Sequence, residues 1–338
     1  MSGRNSEKIR EEKLETLTDE MMIHRKETGV MTIMFTVATI EEVRSHFDVK
    51  VVSMTCPILL DGSDRLGEEV PEMEMFISKR LPSALIVGVR KGGTRALLDA
   101  IALHPNVKIV RRETHFFDAN YTLGFDWYRD QMPDIESENE VVIEKTPAYF
   151  TNENVPKRVY EMNPNIKLIL IVRHPVYRTV SDFTQVYYNK LEQNKSLPVL
   201  SVEAFRTNED GVDEINMEYK PMTNSLYDVH ISKWLKYFKI DNFLFVNGDV
   251  FRANPLHELR RVEEFLRLER SITPSQLVFD YNKGFFCFRK TTKIRCLGQS
   301  KGRKHRSVSE DVVLKLSKMF EDHNQNFFRI INRTYSWD

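Results

Sequence analysis

An apolar run, Ser83 to Val89, opens directly onto GVRKGGTRALL, Gly88 to Leu98. Gly92 and Gly93 let backbone amides approach an anion, and a helix starting at Thr94 aims the positive end of its dipole at the same point. Such a loop suits a phosphate-like group. The nucleotide-triphosphate loop reads GxxxxGK[ST]. Here Gly88 and Gly93 keep that spacing, Thr94 takes the lysine's place, and the lysine stands inside the loop as Lys91. From there it can lean over a terminal phosphate or its bridging oxygen, while the motif's magnesium ligand is missing. The plain alternative is a tight strand-to-helix turn, and the loop alone leaves both open.

A second candidate receptor follows KLILIV, Lys167 to Val172. Arg173 ends that run and Ser181 lies two turns along the next helix, so an arginine fork and a hydroxyl can face one crevice. An arginine paired with a surface carboxylate is the alternative. Two anion sites at neighbouring strand ends suggest a nucleotide with phosphates at both ends. Between them in the chain lies ETHFFD, Glu113 to Asp118, whose carboxylate could take a proton from a hydroxyl. Read by itself, Glu113 in RRETH is a surface salt bridge.

These residues need a scaffold that gathers strand ends. Short apolar runs at Ser83–Val89, Val141–Ile143, Lys167–Val172 and Phe243–Val246 alternate with helical spacing at Thr94–Leu103, Val176–Lys190, Tyr227–Phe238, Pro255–Leu268 and Ser309–Ile331. Strands separated by crossover helices predict an α/β protein with a central parallel sheet, whose ligands gather at the carboxyl ends of the strands. Residues 81–338 form that domain. Residues 1–80, with a charged helical start and an acidic stretch holding Glu68, Glu69, Glu72 and Glu74, read as an accessory arm without an assigned role.

The 338 residues are 41% hydrophobic and 29% charged, which excludes a long disordered chain. Forty-nine basic residues cancel 49 acidic ones, so attraction to a polyanion must come from local patches. One such patch is Lys283 to Arg306, with nine Lys or Arg and no acidic residue. A solvated face is its ordinary reading, and a polysaccharide polyanion is its other use. Nucleic acid is disfavoured, because no recognition helix or base-stacking signature accompanies the charges. The longest apolar candidate, Gly29 to Ile40, is too short to cross a bilayer, so a soluble chain with no transmembrane segment is expected. No His and Cys cluster has metal-ligand spacing, and no metal is expected.

Taken in order, GVRKGGTRALL, ETHFFD, EKTPAYF, RHPVYRTVSDFTQVYYN, KGFFCF and SKGRKH closely resemble the heparan sulfate glucosamine 3-O-sulfotransferases, over about Leu81 to Asp338. N-sulfotransferases share the loop and the arginine-serine pair, but KGGTRAL and EKTPAYF favour the 3-O branch. The resemblance implies a P-loop-like sulfotransferase fold and 3'-phosphoadenosine 5'-phosphosulfate (PAPS) as donor. Lys91, Gly92, Gly93, Thr94 and Arg95 then hold its 5'-phosphosulfate, Arg173 and Ser181 its 3'-phosphate, and Tyr281 with the loop Lys301, Gly302, Arg303 and Lys304 closes over the nucleotide. Glu113 becomes the general base, Lys91 supports the leaving phosphate, and His115, Asp118 and Lys145 complete the catalytic ring. Arg111, Arg112, Lys145, Lys157 and Arg158 line the acceptor groove, with Gln185 and Asn189 as sugar hydrogen-bonders.

The family pairs the cysteines corresponding to Cys287 and Cys296; two free thiols are the alternative, and Cys56 is left over. The resemblance also implies a heparan sulfate acceptor and the Golgi lumen, with sequons at Asn120, Asn194 and Asn332 compatible with that. No signal anchor is visible in residues 1–80. His174 departs from the acidic or amide residue usual in the family. Other glycosaminoglycan sulfotransferases, a nucleotide-dependent phosphotransferase and a catalytically silent heparin-binding protein are the competing readings.

Overall fold

The structure, a computed structural model, describes residues 50–52, 75–298 and 305–337. The expected arm therefore falls largely outside the described residues, as does the whole of Lys301–Lys304. Short strands occur at Lys50–Val52 (β1) and Met75–Ile77 (β2). Phe76–Asp338 is one compact unit.

Its centre is a five-stranded sheet: β3 (Ala84–Gly88), β4 (Val107–Ile109), β5 (Val141–Lys145), β6 (Lys167–Val172) and β9 (Phe243–Asn247), in the order β4-β5-β3-β6-β9 with every pairing parallel. Side chains alternate across a strand, and these strands are apolar at successive positions because both faces are covered. Leu85, Val87, Val142, Leu168 and Leu170 face a layer containing Phe116, Tyr149, Phe150, Trp234 and Phe327. Ile86, Ile143, Ile169 and Ile171 face the other layer, with Leu97, Leu98, Leu259 and Val262. The expected α/β class, the parallel sheet and its crossover helices are all present.

Strand order reverses about β3, since β4 and β5 lie on one side of it and β6 and β9 on the other. A crevice opens at the carboxyl ends of strands where order reverses. The glycine loop leaves β3 at that point. Beyond the sheet, β7 (Phe205–Thr207) and β8 (Asp213–Ile215) form a small ribbon, and β10 (Leu277–Asp280), β11 (Phe285–Lys290) and β12 (Lys293–Arg295) form an antiparallel sheet. The disulfide Cys287–Cys296 ties β11 to the chain just past β12.

Candidate active site

Close backbone approach shapes the loop after β3. A Cβ on Gly92 would lie 2.6 Å from the Ile171 carbonyl oxygen, so a side chain there would push the loop off the neighbouring strand. Gly93 has φ 111° and begins the helix Thr94–Ile101 without a side-chain cap, which leaves first-turn amides to serve an anion. Lys91 also has a left-handed backbone, φ 69°. Gly248, after β9, fits as tightly, for a Cβ there would stand 2.7 Å from the Val172 oxygen and 2.9 Å from the Gly92 oxygen.

Lys91, Gly92, Gly93, Thr94 and Arg95 line a cleft of about 710 Å³ together with Arg173, Ser181 and Gln185. The two anion receptors expected from separate parts of the chain thus meet in one crevice. Arg173 is mostly buried beside Asp249, its Nε 3.6 Å from the carboxylate; burial holds its pKa below the usual value although Asp249 opposes this. The neighbouring His174 is a helix cap, its Nδ1 accepting from the Val176 amide at 3.2 Å while its own amide donates to Asp249.

Sequence reasoning missed several members of the cleft. Asp249 and Arg252 follow β9 and line it, and the rule that ligands gather at strand ends was the available signal. His305 lines it too; its pKa is lowered to about 4 by burial and by the charges of Arg173, Lys91 and Arg252. Its signal was its place at the end of a basic run. Lys283, Gly284, Phe285, Phe286 and Phe288 supply another wall.

The basic segment is therefore divided, since Lys283 lines the cleft while Lys290, Lys293 and Arg295 are exposed on the hairpin. Arg306 lies over the Tyr187 ring at 4.2 Å. Tyr281, expected to close over a nucleotide, is 90% exposed, packs edge-on against Phe279 and is absent from the cleft lining. The hairpin phenylalanines stand in the wall instead.

Glu113, His115, Asp118 and Lys145 come together at the end of β5, the strand adjoining β3, and none of them is in the cleft lining. Lys145, buried at the end of β5, donates to Glu113 Oε1. His115 Nε2 is 3.6 Å from Glu113 Oε2, and its Nδ1 is 2.9 Å from Asp118 Oδ2. Two links join this cluster to the loop after β3: Lys145 is registered opposite Ile86 of β3, and Arg95 donates to the Arg111 carbonyl at 2.7 Å. Arg111 and Arg112 are exposed next to it. Arg158 donates to the Phe117 carbonyl and lies over Tyr121, so it braces the ETHFFD turn, while Lys157 pairs with Glu161 at the surface. Gln185 donates to the exposed Asn189 at 2.7 Å.

A carboxylate held by a lysine and faced by an imidazole can accept a proton from a hydroxyl, and a cleft lined by Lys91, Arg95, Arg173 and Arg252 can hold a polyanionic ligand. The sulfotransferase-domain family model matches residues 81–335, and a crystal structure of a sulfotransferase from Alicyclobacillus acidocaldarius shares the fold, with TM-score 0.56 and 18% identity over 76% of this chain and 99% of that one. Heparan sulfate glucosamine 3-O-sulfotransferase 5 of Mus musculus is 45% identical over 262 residues, 77% of this chain and 75% of that protein. Heparan sulfate glucosamine 3-O-sulfotransferase 6 of the same organism is 40% identical, again over 77% and 75%. The chain belongs to the heparan sulfate glucosamine 3-O-sulfotransferase family.

Proposed function

We propose that this protein transfers a sulfuryl group from PAPS to the 3-hydroxyl of glucosamine in heparan sulfate, in the Golgi lumen. The carrying observation is a cation-lined cleft that receives one candidate anion receptor from the β3 loop and another after β6, with a lysine-held carboxylate at the end of the adjacent strand β5. The cleft lies within the roughly 300–1,000 Å³ of small-ligand sites, and its glycines let the β3 loop pack against the neighbouring strand end. When bound, the donor supplies a sulfur already activated as a mixed anhydride.

Lys91 to Arg95 hold the phosphosulfate end, Arg173 and Ser181 hold the 3'-phosphate, and Phe285 and Phe286 offer apolar surface to the base. Glu113 accepts the proton of the attacking hydroxyl, with Lys145 orienting the carboxylate. His115 and Asp118 fix its other side. Lys91 compensates the charge that develops on the departing phosphate. No metal is required for a donor so activated. The exposed cations Arg111 and Arg112, with those of the hairpin, suit a sulfated polysaccharide, and the disulfide supports an oxidising compartment.

The test combines binding with turnover. Adenosine 3',5'-bisphosphate at about 100 times its Kd is expected to stabilise the fold by about 2.7 kcal/mol, and labelled donor is expected to mark the glucosamine 3-position on disaccharide analysis. Glu113→Gln should keep the stabilisation and lose about 10²- to 10⁴-fold in turnover. No stabilisation in the wild type would favour a silent heparin binder, and label at another position would favour a different glycosaminoglycan sulfotransferase.

A further inference from the structure

Under the base lies a second carboxylate with no place in the mechanism above. Glu144 precedes Lys145 on β5, and successive residues of a strand face opposite ways. Lys145 reaches Glu113, whereas Glu144 turns to the other face and is wholly buried. Its Oε1 accepts from Thr146 Oγ1 at 2.6 Å and lies 3.4 Å from the Thr114 amide; Oε2 is 3.5 Å from the Tyr128 hydroxyl. No cation forms a salt bridge with it among the described residues.

The partners of this buried group converge on one stretch of backbone. The Thr114 amide faces Glu144, the His115 amide points to Thr146 Oγ1 at 3.5 Å, and the Phe116 amide donates to the Tyr149 hydroxyl at 3.0 Å. Tyr149 and Thr114 share a further hydrogen bond between their hydroxyls. Consecutive amides of the ETHFFD turn thus rest on side chains of EKTPAYF, and His115 sits between them at φ 50°, a conformation that a residue with a Cβ adopts only when its surroundings impose it. Glu113 is the next residue outward from this clamp.

We infer that Glu144, acting through Thr146 and the Thr114–Phe116 backbone, is a positioning residue that sets where Glu113 and His115 stand relative to the acceptor hydroxyl. The inference rests on the proposed sulfuryl transfer. Two adjacent residues of the turn, Glu113 and Thr114, are held by two adjacent residues of β5, Lys145 and Glu144, on opposite faces of the strand. Only the first of these pairs is open to the site. The second fixes the backbone, and a displacement of about 1 Å at a catalytic group can cost about 10²-fold in rate.

Thr146→Val removes the hydroxyl that bridges Glu144 and His115 while keeping the shape of the side chain. Glu144→Gln keeps an acceptor oxygen for Thr146 and Thr114, and Glu144→Leu removes it. Turnover on heparan sulfate and calorimetric affinity for adenosine 3',5'-bisphosphate are measured on each. The expected result is a fall in kcat of at least about 10-fold for Thr146→Val and Glu144→Leu, bisphosphate Kd within about 2-fold of wild type, and recovery of most of kcat in Glu144→Gln. Wild-type kcat in Thr146→Val would overturn the inference, and so would a parallel loss of bisphosphate affinity, which marks a general structural role. Should Glu144→Leu fail to fold, Thr146→Val alone still decides. If the wild type transfers no sulfate, the proposed function fails and the inference falls with it.

Discussion

Two carboxylates of this site live in opposite surroundings. Glu113 is partly exposed to water and paired with Lys145. Glu144 is wholly buried, and burial raises its carboxyl to about 7 against the hydrogen bonds of Thr146 and Thr114. The sign of the consequence differs from that of an ordinary salt-bridged acid. Between about pH 4.5 and 7 the folded protein holds a proton that the unfolded chain has released, so this group's contribution to stability declines as pH rises. The decline is at most about 3 kcal/mol. Denaturant titrations of wild type and Glu144→Gln should therefore diverge across that window, the variant gaining on the wild type with rising pH; a difference flat with pH refutes the shift. Of the pair only Glu113 was legible in the sequence, through the ETHFFD string. A buried glutamate carries no mark of its burial, because charged residues are almost always exposed and the alternation of so short a strand is weak.

The elements that carry these residues are locked by contacts between strand ends. Adding a methyl group at Gly248 presses it against the carbonyls of Val172 and Gly92, forcing the turn after β9 away from the donor loop. Gly248→Ala is expected to cost about 1–3 kcal/mol and to weaken bisphosphate binding, whereas Gly211→Ala in the turn of the β7–β8 ribbon, outside the cleft lining and where a Cβ meets nothing within 4 Å, is expected to leave binding unchanged. Calorimetry on Gly248→Ala and wild type checks this; equal affinities would show that the loops move apart freely. The sheet itself was readable. Lys167–Val172 is apolar almost throughout because it lies between covered faces, and its observed limits match those expected. The hairpin was not readable as strands. Phe285, Phe286 and Phe288 line the cleft while Cys287 is buried in the disulfide, so both faces of β11 are apolar and the alternation that signals a strand is erased. Short β4 and the helix Val155–Met162 lacked a run long enough to register.

Across the molecule, the disulfide sits in the same hairpin that walls the cleft. The disulfide closes a loop with its cysteines nine residues apart, and closure of that size stabilises by about 2–3 kcal/mol. It also fixes the strand whose phenylalanines stand in the cleft wall. A Cys287→Ser and Cys296→Ser double variant should lower the melting temperature and weaken bisphosphate binding together, and an unchanged affinity would show that the hairpin holds its place in the wall without the bond.

A last feature spans both receptors. Arg178 is completely buried; it donates to Asp182, to the Arg90 carbonyl, to Ser225 Oγ and to the Pro221 carbonyl, while the Arg90 side chain reaches the same Asp182 at 2.8 Å. Arg90 belongs to the β3 loop and Asp182 adjoins Ser181 on the helix Pro175–Glu192. The two grips are thus bolted to a common strut, and a ligand engaged at one end meets the other at high effective concentration, as a chelate does. On the proposed assignment of one phosphate end to each grip, a nucleotide lacking either terminal phosphate is expected to lose that advantage along with the direct contacts, so rigidity adds to charge in setting the selectivity expected of the cleft.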